Sequence, residues 1–173
     1  MVWRYVQKNK KRNIKLIILL KVKRIQNPSL YKKFVIHKCK MENELKDSGK
    51  EVVKHLWHRT SQDYLQNINS EGFNRSKTLS LVNNYGRGVY FSTDFYYLEG
   101  ESAIANPSND YYCYLSQVLV GDFTKGASRC MVPPLNQQNK KYHSLVDDVT
   151  NPKVFVIFGD TQAYPSYLVH YRG

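Results

Sequence analysis

Tyr85-Gly86-Arg87-Gly88-Val89-Tyr90-Phe91-Ser92 is the stretch that decides how this chain of 173 residues is read. Two glycines one residue apart let the backbone turn tightly and approach a ligand closely. The residues behind them are rich in β-branched and aromatic side chains, which suit a pleated, half-buried surface. The pattern predicts a strand over 88–92 with Tyr90 and Phe91 on opposite faces. Upstream, His58-Arg59-Thr60 follows the strand-like run Val52–Trp57, with His58 lying 32 residues before Tyr90. Downstream, Val154-Phe155-Val156-Ile157-Phe158 begins 64 residues after Tyr90 and reads as a buried strand.

Working outward, residues 1–13 form a basic N-terminal tail without periodicity, and 14–173 read as one domain, long enough for a core of its own. Ile14–Ile25 is strand-like. Asn27-Pro28 predicts a helix start, with asparagine as cap and proline in the first turn, and Leu30, Phe34 and Cys39 mark its inner face as far as Leu45. Glu51–Trp57 is the next strand. Ser61 is expected to cap a helix over 62–71 that Gly72 stops. Phe73–Asn84 reads as loop, Phe95–Ala105 as a short helix and Tyr111–Gly121 as a long strand. Lys125–Ser144 reads as irregular, and Val154–Phe158 and Tyr167–Tyr171 as two final strands. The sum is an α+β domain dominated by antiparallel strands.

Charge is concentrated at one end. Residues 1–54 carry sixteen Lys and Arg against four Asp and Glu, whereas 55–173 carry ten of each, so the formal charge of +12 sits in the first third. Such a segment can meet phosphates, which makes nucleic acid a conceivable partner of the basic third; a solvated helix face explains it equally simply. Three scattered cysteines offer neither a disulfide framework nor metal-ligand spacing, which points to a reducing compartment, nuclear or cytoplasmic. Leu16–Leu20 is too short to cross a bilayer. No glycine-rich dinucleotide fingerprint follows a strand.

The ordered pieces Arg24–Pro28, Leu56–Thr60, Gly72–Ser76, Tyr85–Ser92, Phe123–Gly126, Val132–Pro134 and Pro152–Tyr171 together resemble the catalytic domain of the poly(ADP-ribose) polymerase-like ADP-ribosyltransferases. The resemblance is closest to the macrodomain-associated mono-ADP-ribosylating branch. It implies two packed, mainly antiparallel sheets with flanking helices (the ADP-ribosyltransferase fold), NAD as co-substrate, no metal, and acceptor proteins that could include the chain itself. It casts His58 as the donor to a ribose hydroxyl and Tyr90 as the ring against nicotinamide, the two rings converging on one crevice. The chemistry it implies breaks the bond between ribose and nicotinamide through an oxocarbenium-like transition state.

The resemblance places Val154 where chain-elongating members carry glutamate. Valine neither hydrogen-bonds nor acts as a base, which implies transfer of single ADP-ribose units. It further implies substrate contacts from Arg59, Thr60, Arg75 (toward the pyrophosphate), Tyr85 and Leu98. Three positions depart from the pattern. Arg59 stands where glycine presents its backbone to the nicotinamide amide, Leu98 where a serine donates, and Ala103 where a second tyrosine stacks. A lost hydrogen bond of that kind costs about 1–3 kcal/mol. The alternative expectation is therefore a catalytically weak or inactive relative, its cleft partly filled by Arg59 and Leu98, serving as a protein- or RNA-interaction module.

Overall fold

The computed structural model describes residues 17–76, 84–95 and 110–172. The expected helix over Phe95–Ala105, Leu98 and Ala103 lie wholly or largely outside them. The elements, in order, are β1 (Ile18–Arg24), α1 (Pro28–Leu45), β2 (Val53–Thr60), a 3-10 turn (Gln62–Tyr64), α2 (Leu65–Glu71), β3 (Val89–Ser92), β4 (Asp110–Leu119), β5 (Phe123–Lys125), β6 (Ser144–Val146), β7 (Val154–Ile157) and β8 (Ala163–Arg172). The strands lie in the order β1-β8-β4-β2-β3-β7-β6-β5, antiparallel throughout except between β5 and β6.

The expected two sheets are halves of one. Within each half the strands pair over several residues, but β2 and β3 meet at a single register position, Trp57 opposite Ser92. Toward the C-terminal end of β2 the two strands diverge, so that His58–Thr60 and Val89–Phe91 face each other across a split. This split is what the fold contributes to function.

Strand alternation builds a core on each face. Leu56, Phe91, Tyr114, Phe155, Ile157 and Leu168 pack on one side together with Ile68 of α2 and Phe73. Trp57, Cys113, Leu115, Val169 and Tyr171 of the first half pack on the other side with Phe95, and Tyr90, Leu145, Val154 and Val156 form the equivalent layer of the second half.

Local chemistry fixes α1 where the sequence placed it. The Asn27 side chain accepts from the N–H of Leu30, while its Nδ2 donates to the carbonyl of Asn69 at 3.0 Å. The Tyr164 hydroxyl donates to Ile25 O and accepts the N–H of Asn27, holding the helix start against β8. Asn27→Ala therefore removes a cap and a tertiary tie at once. It is expected to cost about 1–2 kcal/mol, read as a lowered urea midpoint with an unchanged slope. The inward residues of α1 are Phe34 and Met41, two turns apart, and Cys39 is exposed rather than inward.

Other departures have equally plain causes. Ser61 makes no side-chain cap; the chain there forms a 3-10 turn before α2, which Gly72 ends at φ 83°. β5 and β6 have three residues each and arise inside the stretch read as irregular. β8 begins at Ala163, earlier than expected, because Pro165 is tolerated. It sits at a register shift opposite Ser116, beyond the reach of β1, whose pairing stops at Tyr167. Among the described residues no helix is long and apolar enough to cross a membrane, and no three His, Cys, Asp or Glu side chains cluster as metal ligands.

Candidate active site

His58 stands on β2 at the split, 7% exposed, with its ring 5.0 Å from Phe73 and 5.3 Å from Phe91. Its Nδ1 lies 2.8 Å from the carbonyl oxygen of Tyr90. A carbonyl can only accept, so Nδ1 carries the proton and donates. The imidazole thus bridges β2 and β3 at the level where the backbone ladder has ended. Burial pushes its pKa down to about 4, against which the bond to Tyr90 acts only partly. At neutral pH the ring is uncharged, and Nε2 offers a lone pair with no hydrogen-bond partner among the described residues. At neutral pH the expected donor is therefore an acceptor at Nε2.

The rings of His58 and Tyr90 do not converge. Phe91 shares the face of His58, and Tyr90, one residue away, points to the opposite face. The Tyr90 ring packs with Leu145, Val154 and Val156, and its hydroxyl donates to Gly86 O at 2.7 Å while accepting the N–H of Tyr85 at 3.1 Å. What meets His58 is the backbone of Tyr90. Val154, paired with Ser92 and 1% exposed, lies in the apolar layer with the Tyr90 ring.

Arg59 follows His58 and so projects to the other face. Its guanidinium carbon lies 4.3 Å from the centroid of Tyr111 and 6.0 Å from that of Tyr171, a cation–π arrangement far from the imidazole's side of the sheet. Its φ is negative, as everywhere among the described non-glycine residues except Asn139. A strand residue replacing glycine here adds a side chain to the face of Trp57 and leaves the peptide edge as it was. Thr60, two residues beyond His58, shares the face of the imidazole.

Arg75 bonds the carbonyl of Met131 through Nη1 at 3.2 Å, tying the segment after α2 to the connection between β5 and β6. Tyr85 is half-buried against the layer below Tyr90. The glycines of the opening motif serve different ends. Gly86 has φ 124°, a value that L side chains rarely adopt, and a Cβ on Gly88 would run into the carbonyl of Ile157. Where the glycine pair was expected to approach a ligand, the close approach at Gly88 is to β7 of the same chain. Two residues escaped the sequence reading. Phe73 looked like loop yet packs edge-on against His58, and Arg87, between the glycines, is exposed just ahead of β3. The signal for Arg87 was its place at the tip of a Gly-x-Gly turn.

Residues 1–145 match the family described as the poly(ADP-ribose) polymerase catalytic domain. The chain is 32% identical over 163 residues to protein mono-ADP-ribosyltransferase PARP12 of Mus musculus, covering 92% of this chain and 22% of that protein. It is 35% identical over 156 residues to protein mono-ADP-ribosyltransferase PARP14 of Homo sapiens, covering 88% of this chain and 9% of that protein. The chain therefore spans less than a quarter of the length of either relative. In fold it is similar to the PARP domain of Arabidopsis RADICAL-INDUCED CELL DEATH1, with a TM-score of 0.75 at 16% identity over 91% of this chain and 88% of that one. With residues 1–145 of its 173 matched, this chain belongs to the poly(ADP-ribose) polymerase catalytic domain family.

Proposed function

We propose that this domain transfers single ADP-ribose units from NAD to a protein side chain and releases nicotinamide. The reading rests chiefly on His58: buried, neutral, and fixed across the split by Tyr90, it holds an acceptor lone pair where a ribose hydroxyl would donate. Thr60 adds a hydroxyl on the same face. In the transfer, the bond from ribose C1 to the nicotinamide nitrogen breaks and nicotinamide leaves with the electron pair. The acceptor atom bonds to C1 and gives up its proton. The protein's part is to orient the ribose and exclude water while positive charge develops. Val154 supplies no carboxylate to activate an incoming ribose hydroxyl, which favours one unit per acceptor.

The test is incubation of the purified domain with labelled NAD, followed by mass analysis of the modified protein. The expected result is addition of single ADP-ribose masses. Absence of label on a folded domain at millimolar NAD would end this reading, and ladders of repeated additions would end its single-unit form.

Arg59 provides a second check. Because its side chain lies over Tyr111 on the opposite face, Arg59→Gly is expected to leave NAD affinity within about threefold by calorimetry. The cost should appear instead in stability, about 1 kcal/mol from the lost cation–π contact and the added backbone freedom. A tenfold gain in affinity would return Arg59 to the substrate's place.

A further inference from the structure

We infer that Tyr90 is a positioning residue acting through the Tyr85–Gly88 turn, and that this turn carries Arg87 to the diphosphate of the dinucleotide. The inference rests on the NAD reading above and deepens it.

The turn leads directly into β3, the strand on one side of the split. Extending the register set by Trp57 opposite Ser92 places Tyr90 level with Arg59 and Gly88 level with Ser61. Tyr85–Gly88 therefore continues from β3 past the level of Ser61, beyond the imidazole. Its shape is held from both sides. The Tyr90 hydroxyl donates to Gly86 O and receives the Tyr85 N–H, and the Arg87 N–H donates to the carbonyl of Cys130 at 2.8 Å. Gly86 is buried and its φ of 124° lies outside the region where most residues rest, so the turn keeps this shape because these bonds over-determine it. Tyr90 thereby does two jobs with two groups. Its carbonyl orients His58, and its phenol orients the turn, at 2.8 and 2.7 Å respectively.

Arg87 is what the turn presents. It is exposed, and its guanidinium pairs with no carboxylate among the described residues. A planar five-donor fork suits the doubly charged linkage between two ribosyl phosphates. Arg75, the arginine expected for that role, spends part of its fork on Met131 O.

The experiment is a double-mutant cycle on the intact chain with Tyr90→Phe, Arg87→Gln and the pair. Tyr90→Phe keeps the ring in its apolar layer and removes only the hydroxyl. It is expected to speed amide exchange at Tyr85 by tenfold or more and leave exchange at Phe155 in β7 unchanged. Both single variants are expected to raise KM for NAD about tenfold with kcat within about twofold, from loss of a charge-assisted contact or its alignment. The pair should be no worse than Arg87→Gln alone, since both changes strike one interaction. Gly86→Ala, which disturbs the turn while leaving the phenol, should raise KM likewise.

Several results would overturn the inference: unchanged exchange at Tyr85, KM effects that multiply in the pair, or a fall in kcat at constant KM in Tyr90→Phe, which would put the phenol on the reacting atoms. A wild-type chain that neither binds nor turns over NAD would end the NAD reading and the Arg87 assignment with it. The exchange data would still decide separately whether the phenol holds the turn.

Discussion

Phe91→Ala is expected to remove about 3–5 kcal/mol of folding free energy. Phe91 is wholly buried, with Phe73 5.1 Å away edge-on and His58 5.3 Å away. Truncation removes the ring's transfer free energy and opens a void that β3, fixed to β7 along all four of its residues, is poorly placed to fill. A domain of this size is stable by about 5–15 kcal/mol, so the variant should retain only part of that margin. Denaturant unfolding is the measurement: the midpoint should fall steeply while the slope stays constant. Phe91→Leu should cost less than half as much, because most of the volume remains. An alanine variant within about 1 kcal/mol of wild type would show that the ring is not a keystone between the halves. The loss should also reach the site, since Phe91 and Phe73 hold the imidazole in place.

Acidification should weaken the fold through His58. The folded pKa of about 4 lies below the ordinary value of 6.5, owing to burial. As pH falls, the unfolded chain therefore takes up this proton first. The contribution is complete above pH 6.5, declines between 6.5 and 4, and is gone below 4. The separation of the two values corresponds to on the order of 3 kcal/mol. His58→Gln should flatten that part of the stability profile, and parallel profiles for variant and wild type between pH 6.5 and 4 would refute the assignment. Chemistry follows the same proton. A folded domain at about pH 5 should still hold most of its Nε2 lone pairs, whereas an exposed histidine would have lost nearly all of them.

What could be read from the chain was what local chemistry determines. Asn27-Pro28 announced a helix because a capping amide and a proline act within one turn. Val89–Ser92 and Val154–Ile157 were visible because strands buried on both faces leave continuous apolar runs. β5 and β6 were hidden, since three residues carry no period and owe their extension to partners distant in sequence. The site was half legible. His58, Tyr90 and Val154 do occupy neighbouring strands around the split, but the alternation along β3 does not say which of Tyr90 and Phe91 shares the face of His58, and it is Phe91. The same period, applied to β2, would have sent Arg59 to the face of Trp57. Arg87 was marked only by its place in the Gly-x-Gly turn, a signal that any exposed turn cation would share.

The placement of Arg59 bears on how silent relatives are diagnosed. A pocket lined by peptide groups is blind to the identity of the amino acid that contributes them, provided the bulky part leaves on the far side. Loss of a glycine there is then poor grounds for declaring an enzyme extinct. Competence is decided instead at positions whose side-chain atoms themselves touch the cargo.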